Sequence, residues 1–392
     1  MKLGSLFDGS GTAPLAAQMC GIEPVWASEI EPYPIRVTKA RFPNMTHYGD
    51  IKKMNGAEIE PVDIICGGSP CQDLSIAGKQ KGIMNGERSH LFFEMVRIIK
   101  EMRTATGNKY PRYIVWENVP GAMSSNNGED FYSVISEYAK IAEAAVDVPR
   151  PEKRAGKLVW RNAGTIMGNG WSIAWRVVDA QYWGVPQRRR RIYLICDLGG
   201  ECAGEILFER QSLSGDHTAG GEARQGTAEN ASGSAGGSGG DGTSLCYILQ
   251  GNGVDRADTA GCNGRGWREN VCYTLNTIDR PCVIRKAFKE SGLAQYNEGF
   301  GTLKASGGCL GGGSETLLVS SGITRKYIVR RLTPLECSRL QGFPDWWEAG
   351  VEGSDSARYK MWGNGMALPN MLYAIRKIKE NEDEERRKNS DV

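Results

Sequence analysis

The 392-residue chain has three histidines, His47, His90 and His217, far apart, and none of its 11 cysteines forms a Cys-x-x-Cys pair. Structural zinc sites draw on Cys and His at short fixed spacings, so no metal site is expected. No run of about 18 apolar residues occurs, and Met1 to Ala13 has no apolar signal-peptide core. A membrane partner and export are excluded on this reading, and a cytoplasmic location is expected. Net charge is low as well: 48 Lys and Arg against 46 Asp and Glu leave +2. Global basicity does not advertise a polyanion partner, so any such site must be local. What is present is ordinary globular composition, 40% hydrophobic and 24% charged, with length enough for a large core and a second domain. Cys66, Cys196 and Cys337 stand in apolar surroundings and read as reduced core thiols, which fits a reducing compartment.

The N-terminal third alternates short apolar strands with glycine turns. Met1 to Phe7 reads as a strand running into Asp8-Gly9-Ser10-Gly11-Thr12, then a helix through Ala16, Ala17 and Met19. Strand, glycine turn and helix bring backbone close to a nucleotide-like ligand. Val25 to Ala27 is the next strand, ending at Ser28-Glu29-Ile30. An acid about 20 residues past the glycines is placed to accept hydrogen bonds from ribose hydroxyls. A third acid at a strand end follows in Tyr48-Gly49-Asp50-Ile51.

Val62 to Cys66 is a buried-strand run that breaks at Gly67-Gly68-Ser69-Pro70, and Cys71 sits just beyond, followed by Gln72-Asp73-Leu74-Ser75. Loops past strand ends on open α/β sheets carry chemistry, so the Cys71 thiol is a candidate nucleophile. A free thiol has a pKa near ~8.5 and needs neighbours to become thiolate. Leu91 to Ile99 has helical spacing. Tyr113 to Trp116 is a further strand, ending in Glu117-Asn118-Val119-Pro120, which puts a carboxylate on the Cys71 rim. Tyr138 to Asn169 reads as a helix followed by a basic, irregular excursion holding Arg150, Lys153, Arg154, Lys157 and Arg161, more a solvated loop than a DNA-facing one. Trp171 to Val178 is a strand, and Gln187-Arg188-Arg189-Arg190-Arg191 leads into a last one.

Composition shifts near Gly199. Ser214 to Ser244 is rich in Gly, Ser, Ala and Thr and reads as linker, and Leu245 to Tyr327 holds short β-like pieces between glycines. Two pieces carry Thr-Leu pairs, Thr274-Leu275 and Thr302-Leu303. Regular signals return at Arg331-Leu332-Thr333-Pro334, where Thr333 is a good N-cap with Glu336 as capping-box partner. Tyr359 to Pro369 reads as a glycine-containing turn, Met371 to Lys379 as a helix and Glu380 to Val392 as a frayed charged tail.

In this order the pieces resemble the DNA (cytosine-5) methyltransferases of bacteria and their phages. The motifs are Phe7-Asp8-Gly9-Ser10-Gly11, Pro70-Cys71-Gln72, Glu117-Asn118-Val119, Gln187 to Arg191, Arg331 to Pro334 through Arg339 to Pro344, and Gly363-Asn364-Gly365. Two departures are Ser69, where an aromatic often precedes Pro-Cys, and Gly365-Met366 in place of Ser-Val. The resemblance implies an α/β fold: a Rossmann-like methyltransferase sheet with helices on both faces, plus a small loop-rich β target-recognition domain. The implied divisions are 1–198 for catalysis and cofactor, 199–354 for target recognition, and 355–392 returning to the catalytic part.

It implies S-adenosylmethionine as cofactor, held by Phe7, Asp8, Gly9, Gly11, Glu29, Ile30, Asp50, Ile51, Pro70, Leu91 and Asn364. Cys71, Glu117, Arg189 and Arg191 would be catalytic, and Gln72, Ser75, Thr274 and Thr302 would contact substrate. The expected partner is double-stranded DNA, with the enzyme a monomer and any cognate restriction endonuclease acting independently. Alternatives left open are a tRNA cytosine-5 methyltransferase, which the long second domain disfavours, and a folate-dependent pyrimidine methylase, which would not need the N-terminal glycine turn.

Overall fold

The computed structural model describes residues 1–69, 90–208, 247–249, 267–269, 271–273, 275, 282–284, 288–290, 296–298, 316–317 and 330–390. Pro70, Cys71, Gln72, Ser75, Thr274, Thr302 and the Gly/Ser-rich stretch lie outside the described residues. The chain divides into two units. One comprises Met1–Asp179, Arg190–Asp216 and Leu368–Val392, and the other Ala180–Arg189 and His217–Ala367.

The first unit is built on Lys2–Leu6 (β1), Glu23–Ser28 (β2), Thr46–His47 (β3), Ile64–Gly67 (β4) and Tyr113–Asn118 (β5). After the short pair Lys153–Arg154 (β6) and Lys157–Leu158 (β7) come Ala163–Gly168 (β8), Trp171–Asp179 (β9) and Arg190–Asp197 (β10). Eight of these form one sheet in the order β3-β2-β1-β4-β5-β10-β9-β8. The first five are parallel, and β10, β9 and β8 add on in antiparallel fashion. Strand order reverses between β1 and β4, and at such a reversal ligands bind outside the carboxyl ends of the strands.

Burial explains the continuous apolar runs. Every residue of β4 and β5 is buried, as parallel strands covered on both faces require. Helices Thr12–Met19 (α1), Pro32–Arg41 (α2), His90–Ala105 (α3), Glu129–Ala142 (α4) and Ala203–Leu207 (α5) connect or cover the strands. Phe92, Met95, Val96, Ile99 and Met102 of α3 form a stripe at helical spacing. With Phe131, Val134 and Tyr138 of α4 they share a core with Ile65, Ile114 and Trp116 from the sheet. The alternating residues Ile64, Cys66, Val115 and Ile195 are equally buried and line the opposite face. There α1 and α5 pack with the terminal helix Leu368–Ser390.

Three expectations are corrected. The excursion after α4 holds the β6–β7 hairpin and a six-residue strand, β8, whose residues alternate between exposed and half-buried. As an edge strand it has too little apolar content for periodicity to reveal it. Tyr359 to Asn364 is helical, within Asp355–Asn364, because Ser354 caps it: its Oγ accepts from the Ala357 N–H at 3.3 Å. The cap lies outside the glycine-containing stretch that reads as a turn. The charged tail continues the terminal helix to Ser390, where Arg112 donates to Glu382 at 2.7 Å and to Glu385 at 2.6 Å. Thr333 caps Pro334–Leu340 with Glu336 in the expected capping box.

In the second unit Trp267–Glu269, Tyr247–Leu249, Cys282–Ile284 and Arg330–Arg331 form a four-stranded antiparallel sheet. Tyr296–Glu298, Phe288–Glu290 and Thr316–Leu317 form a three-stranded one. Strands this short are what the glycine-punctuated sequence dictates.

Candidate active site

At the end of β1 the chain turns sharply. Phe7 holds φ at 56°, a strained value for a side-chain-bearing residue, and Gly9 and Gly11 follow at 54° and 78°. Gly11 then caps α1 with no side chain in the way. Glu29, at the end of β2, closes this turn. One carboxylate oxygen accepts the Gly9 N–H at 2.8 Å, and the other accepts those of Ile30 at 2.7 Å and Glu31 at 2.9 Å. Ionised carboxylates have about four acceptor sites, so capacity remains for a hydroxyl. Ile30 beside it is 67% exposed, an apolar face left open.

The third acid is tied to the second. Ser28 Oγ donates to the Gly49 carbonyl at 2.7 Å, and Asp50 caps a short turn by accepting from the Lys52 N–H at 3.0 Å. Arg97 of α3 braces that turn on the carbonyls of Ile51 and Met54. Leu91, in the first turn of α3, packs with Phe7 against the main core.

Asp8 is buried. Its Oδ1 accepts from Ser5 Oγ at 2.6 Å, and its Oδ2 has no hydrogen-bond partner among the described residues. Burial pushes its carboxyl up to about 7, with the Glu29 charge adding and the Ser5 bond opposing. Cys66, within β4, is also fully buried, and burial with the Asp8 charge raises its thiol far from the reactive range.

The other half of the rim is made by β5 and β10. Glu117 stands opposite Tyr193 in register, and Arg191 Nε lies 3.1 Å from Glu117 Oε1. This charge contact is not an aligned hydrogen bond, so Oε1 keeps its acceptor capacity. Sequence reasoning missed how Ser69, the last described residue before Cys71, is held. Ser69 is buried, and its Oγ accepts from Trp116 Nε1 at 3.4 Å while its carbonyl accepts from Asn118 Nδ2 at 3.3 Å. Trp116 and Asn118 flank Glu117 and Ser69 is two residues before Cys71, but nothing local in either stretch marks the pairing.

The structure therefore brings Phe7, Asp8, Gly9, Gly11, Glu29, Ile30, Asp50, Ile51 and Leu91 together around the ends of β1 to β3, and Glu117 with Arg191 at β5 and β10. Arg189 belongs to the second unit. It is buried and donates to the carbonyls of Leu275 at 3.2 Å and Gly365 at 2.6 Å. Asn364, also of that unit, is exposed at the end of its helix. Among the described residues no group of three or more His, Cys, Asp or Glu could hold a metal, and no helix is long and apolar enough to cross a membrane.

The chain is 28% identical over 94% of its length to a protein of Escherichia phage P1 named DNA N-6-adenine-methyltransferase, and spans 60% of that relative. It is 27% identical to the type II methyltransferase M.HhaI of Haemophilus parahaemolyticus, covering 94% of this chain and 91% of the relative. The S. pombe Dnmt2 methyltransferase has the same fold, with a TM-score of 0.57 at 16% identity, over 97% of this chain and 99% of that one. The family model for the C-5 cytosine-specific DNA methylases matches residues 1–142 and 273–380, more than half of the sequence. The chain that carries this divided rim belongs to the C-5 cytosine-specific DNA methylase family.

Proposed function

We propose that the protein methylates carbon 5 of a cytosine within a specific sequence of double-stranded DNA, through a covalent Cys71 adduct on a base flipped out of the duplex. The observation that carries this reading is the rim itself. Glu117 and Arg191 meet at the end of β5, and the same strand end anchors Ser69, two residues before Cys71.

The family's methyl donor is S-adenosylmethionine, and the residues fit it. Asp8 Oδ2, without a hydrogen-bond partner among the described residues, can pair with a polar group of the ligand, the Gly9 turn admits close backbone approach, and Ile30 offers an apolar face. Glu29 would take the ribose, Ile30 and Ile51 the adenine, and Asp50 its amine, with Phe7, Gly9, Gly11, Pro70, Leu91 and Asn364 completing the site. When bound, the cofactor supplies an electrophilic methyl group on a sulfonium.

Carbon 5 of cytosine is a poor nucleophile on its own. The Cys71 thiolate forms a bond to carbon 6 and pushes the electron pair of the 5,6 double bond onto carbon 5, which takes the methyl as the methyl–sulfur bond breaks and leaves its electron pair on a neutral thioether. Glu117 holds the proton on ring nitrogen 3 and the exocyclic amine, and Arg191 holds the base oxygen and developing charge. Loss of the carbon-5 proton to a base returns the electron pair, and the carbon–sulfur bond breaks to release Cys71 as thiolate. Cys66 is excluded as the nucleophile by its burial and raised thiol. A stacked cytosine cannot reach this rim, so the base must be extruded. Gln72 and Ser75 would contact the base or its neighbours, and Thr274 and Thr302, in the region between the motifs, would serve sequence reading. The enzyme would act as a monomer, with any cognate endonuclease working independently.

Incubation with labelled S-adenosylmethionine and either duplex DNA or RNA, followed by mapping, tests the reading. Label on carbon 5 of cytosines in one DNA sequence is expected. Label on adenine, or on RNA alone, would overturn it.

A further inference from the structure

The β6–β7 hairpin and its flanks carry Arg150, Lys153, Arg154, Lys157 and Arg161 within 12 residues, on a chain whose net charge is only +2. All five are exposed. Nearby acids offset only part of this charge. Glu129 lies 2.7 Å from Arg150 and 3.8 Å from Lys153, and Glu152 lies 3.0 Å from Arg154. Among the described residues neither Lys157 nor Arg161 has an ion-pair partner.

The place of this cluster is fixed by the fold. The Trp160 Nε1–H donates to the Gly128 carbonyl at 2.8 Å, seating the hairpin on the start of α4. That start follows β5 by ten residues, at the carboxyl edge where Glu117 stands. The sheet register says the same. The Val177 N–H donates to the Asn162 carbonyl at 2.7 Å, Ala163 pairs with Arg176, Arg176 with Tyr193, and Tyr193 with Glu117. Arg161 therefore enters β8 level with the active rim, three strands from Glu117. Its carbonyl accepts from Trp175 Nε1 at 3.0 Å, which pins the backbone while the side chain stays in solvent. Arg190 is exposed at the same level on β10, between the two positions.

Neighbouring strands are about 4.8 Å apart, so the cluster begins about 14 Å along the rim from Glu117. A nucleic-acid strand advances about 3.4 Å per nucleotide in a duplex, which makes this about four nucleotides. We propose that the hairpin is a phosphate-binding surface for the DNA duplex, gripping the backbone about four nucleotides and more to one side of the extruded cytosine. This rests on DNA being the substrate. The contacts are to phosphate, so they add affinity for any sequence and position the target without specifying it.

The test compares the full chain with K153Q/K157Q/R161Q and with the charge-keeping K153R/K157R/R161K. Binding to a 24-base-pair duplex carrying the methylated site is titrated over a range of salt. The neutral variant should bind roughly 10- to 100-fold more weakly, with a salt slope shallower by about 2 to 3, since each phosphate contact contributes about 0.9. S-adenosylmethionine binding and single-turnover rate at saturating DNA should stay unchanged, and the charge-keeping variant should match wild type. Trimming the duplex to three base pairs beyond the target, on one side only, should erase the difference. Equal affinity and equal slope for the neutral variant would overturn the proposal. Wild-type protein that methylates RNA and not DNA would instead overturn the reading of function beneath it.

Discussion

Arg189 and Arg191 are two residues apart, yet they belong to different units and are used differently. Arg189 donates to backbone carbonyls of Leu275 and Gly365, as Gln187 does to Leu340 and Gln341 to Trp362. In the second unit long polar side chains are buried to tie distant backbone segments together. In the first unit the buried rim groups are acidic. Asp8 meets the Ser5 hydroxyl and Glu117 the Arg191 cation, and among the described residues each keeps an oxygen without a hydrogen bond. One arrangement holds a scaffold and the other awaits a ligand. Motif membership alone does not distinguish the two uses.

The sharpest break of this comparison is at Glu117. Replacing it with Gln removes the charge facing Arg191 and the group proposed to hold the ring proton. Single-turnover methylation should slow by roughly 10²–10⁴, the usual scale for a lost general acid. Stability should change little, and an unaltered rate would reduce Glu117 to a structural role.

Next come the two arginines. Arg189→Ala strands the buried Leu275 carbonyl, leaves that of Gly365 only the 3.4 Å contact from Gln341 Nε2, and should cost about 3 kcal/mol in urea unfolding. Arg191→Ala removes no bond between distant backbone segments and should slow methyl transfer strongly with a smaller loss of stability. Equal stability losses would erase the contrast between the units.

The smallest effect concerns Asp8. Between about pH 4 and 7 the folded protein keeps this carboxyl protonated while the unfolded chain ionises it. Folding then takes up a proton, so the residue's contribution to stability falls as pH rises and levels off above about 7. Asp8→Asn keeps an acceptor for Ser5 and removes the titration. Relative to wild type the variant should gain roughly 2 kcal/mol between pH 5.5 and pH 8.5 in denaturant unfolding. A pH-independent difference would mean that Asp8 is ionised in the folded protein.

Much of the first unit was legible because its residues obey simple periods. The β4 and β5 runs had to be buried strands, and Glu29 ends β2 where the sequence puts it, although its bond to the Gly9 N–H is not readable from the spacing. The β8 strand was not legible, since half-exposed edge residues leave no apolar pattern. The helical tail was obscured for a different reason: Arg112, more than 250 residues away, holds Glu382 and Glu385 in place. The Ser69 anchor joins β4 to β5, and no local pattern encodes a contact between residues 47 positions apart.

The central claim is that Cys71 adds to carbon 6 and leaves only after carbon 5 loses its proton. Fluorine at carbon 5 permits methyl transfer but cannot depart as a proton does. Duplex DNA carrying 5-fluorocytosine at the methylated position, incubated with enzyme and S-adenosylmethionine, should give a complex that survives denaturation, with the link mapped to Cys71 by peptide mass. Absence of the complex on DNA that the enzyme demonstrably methylates, or a link at Cys66, would contradict the account.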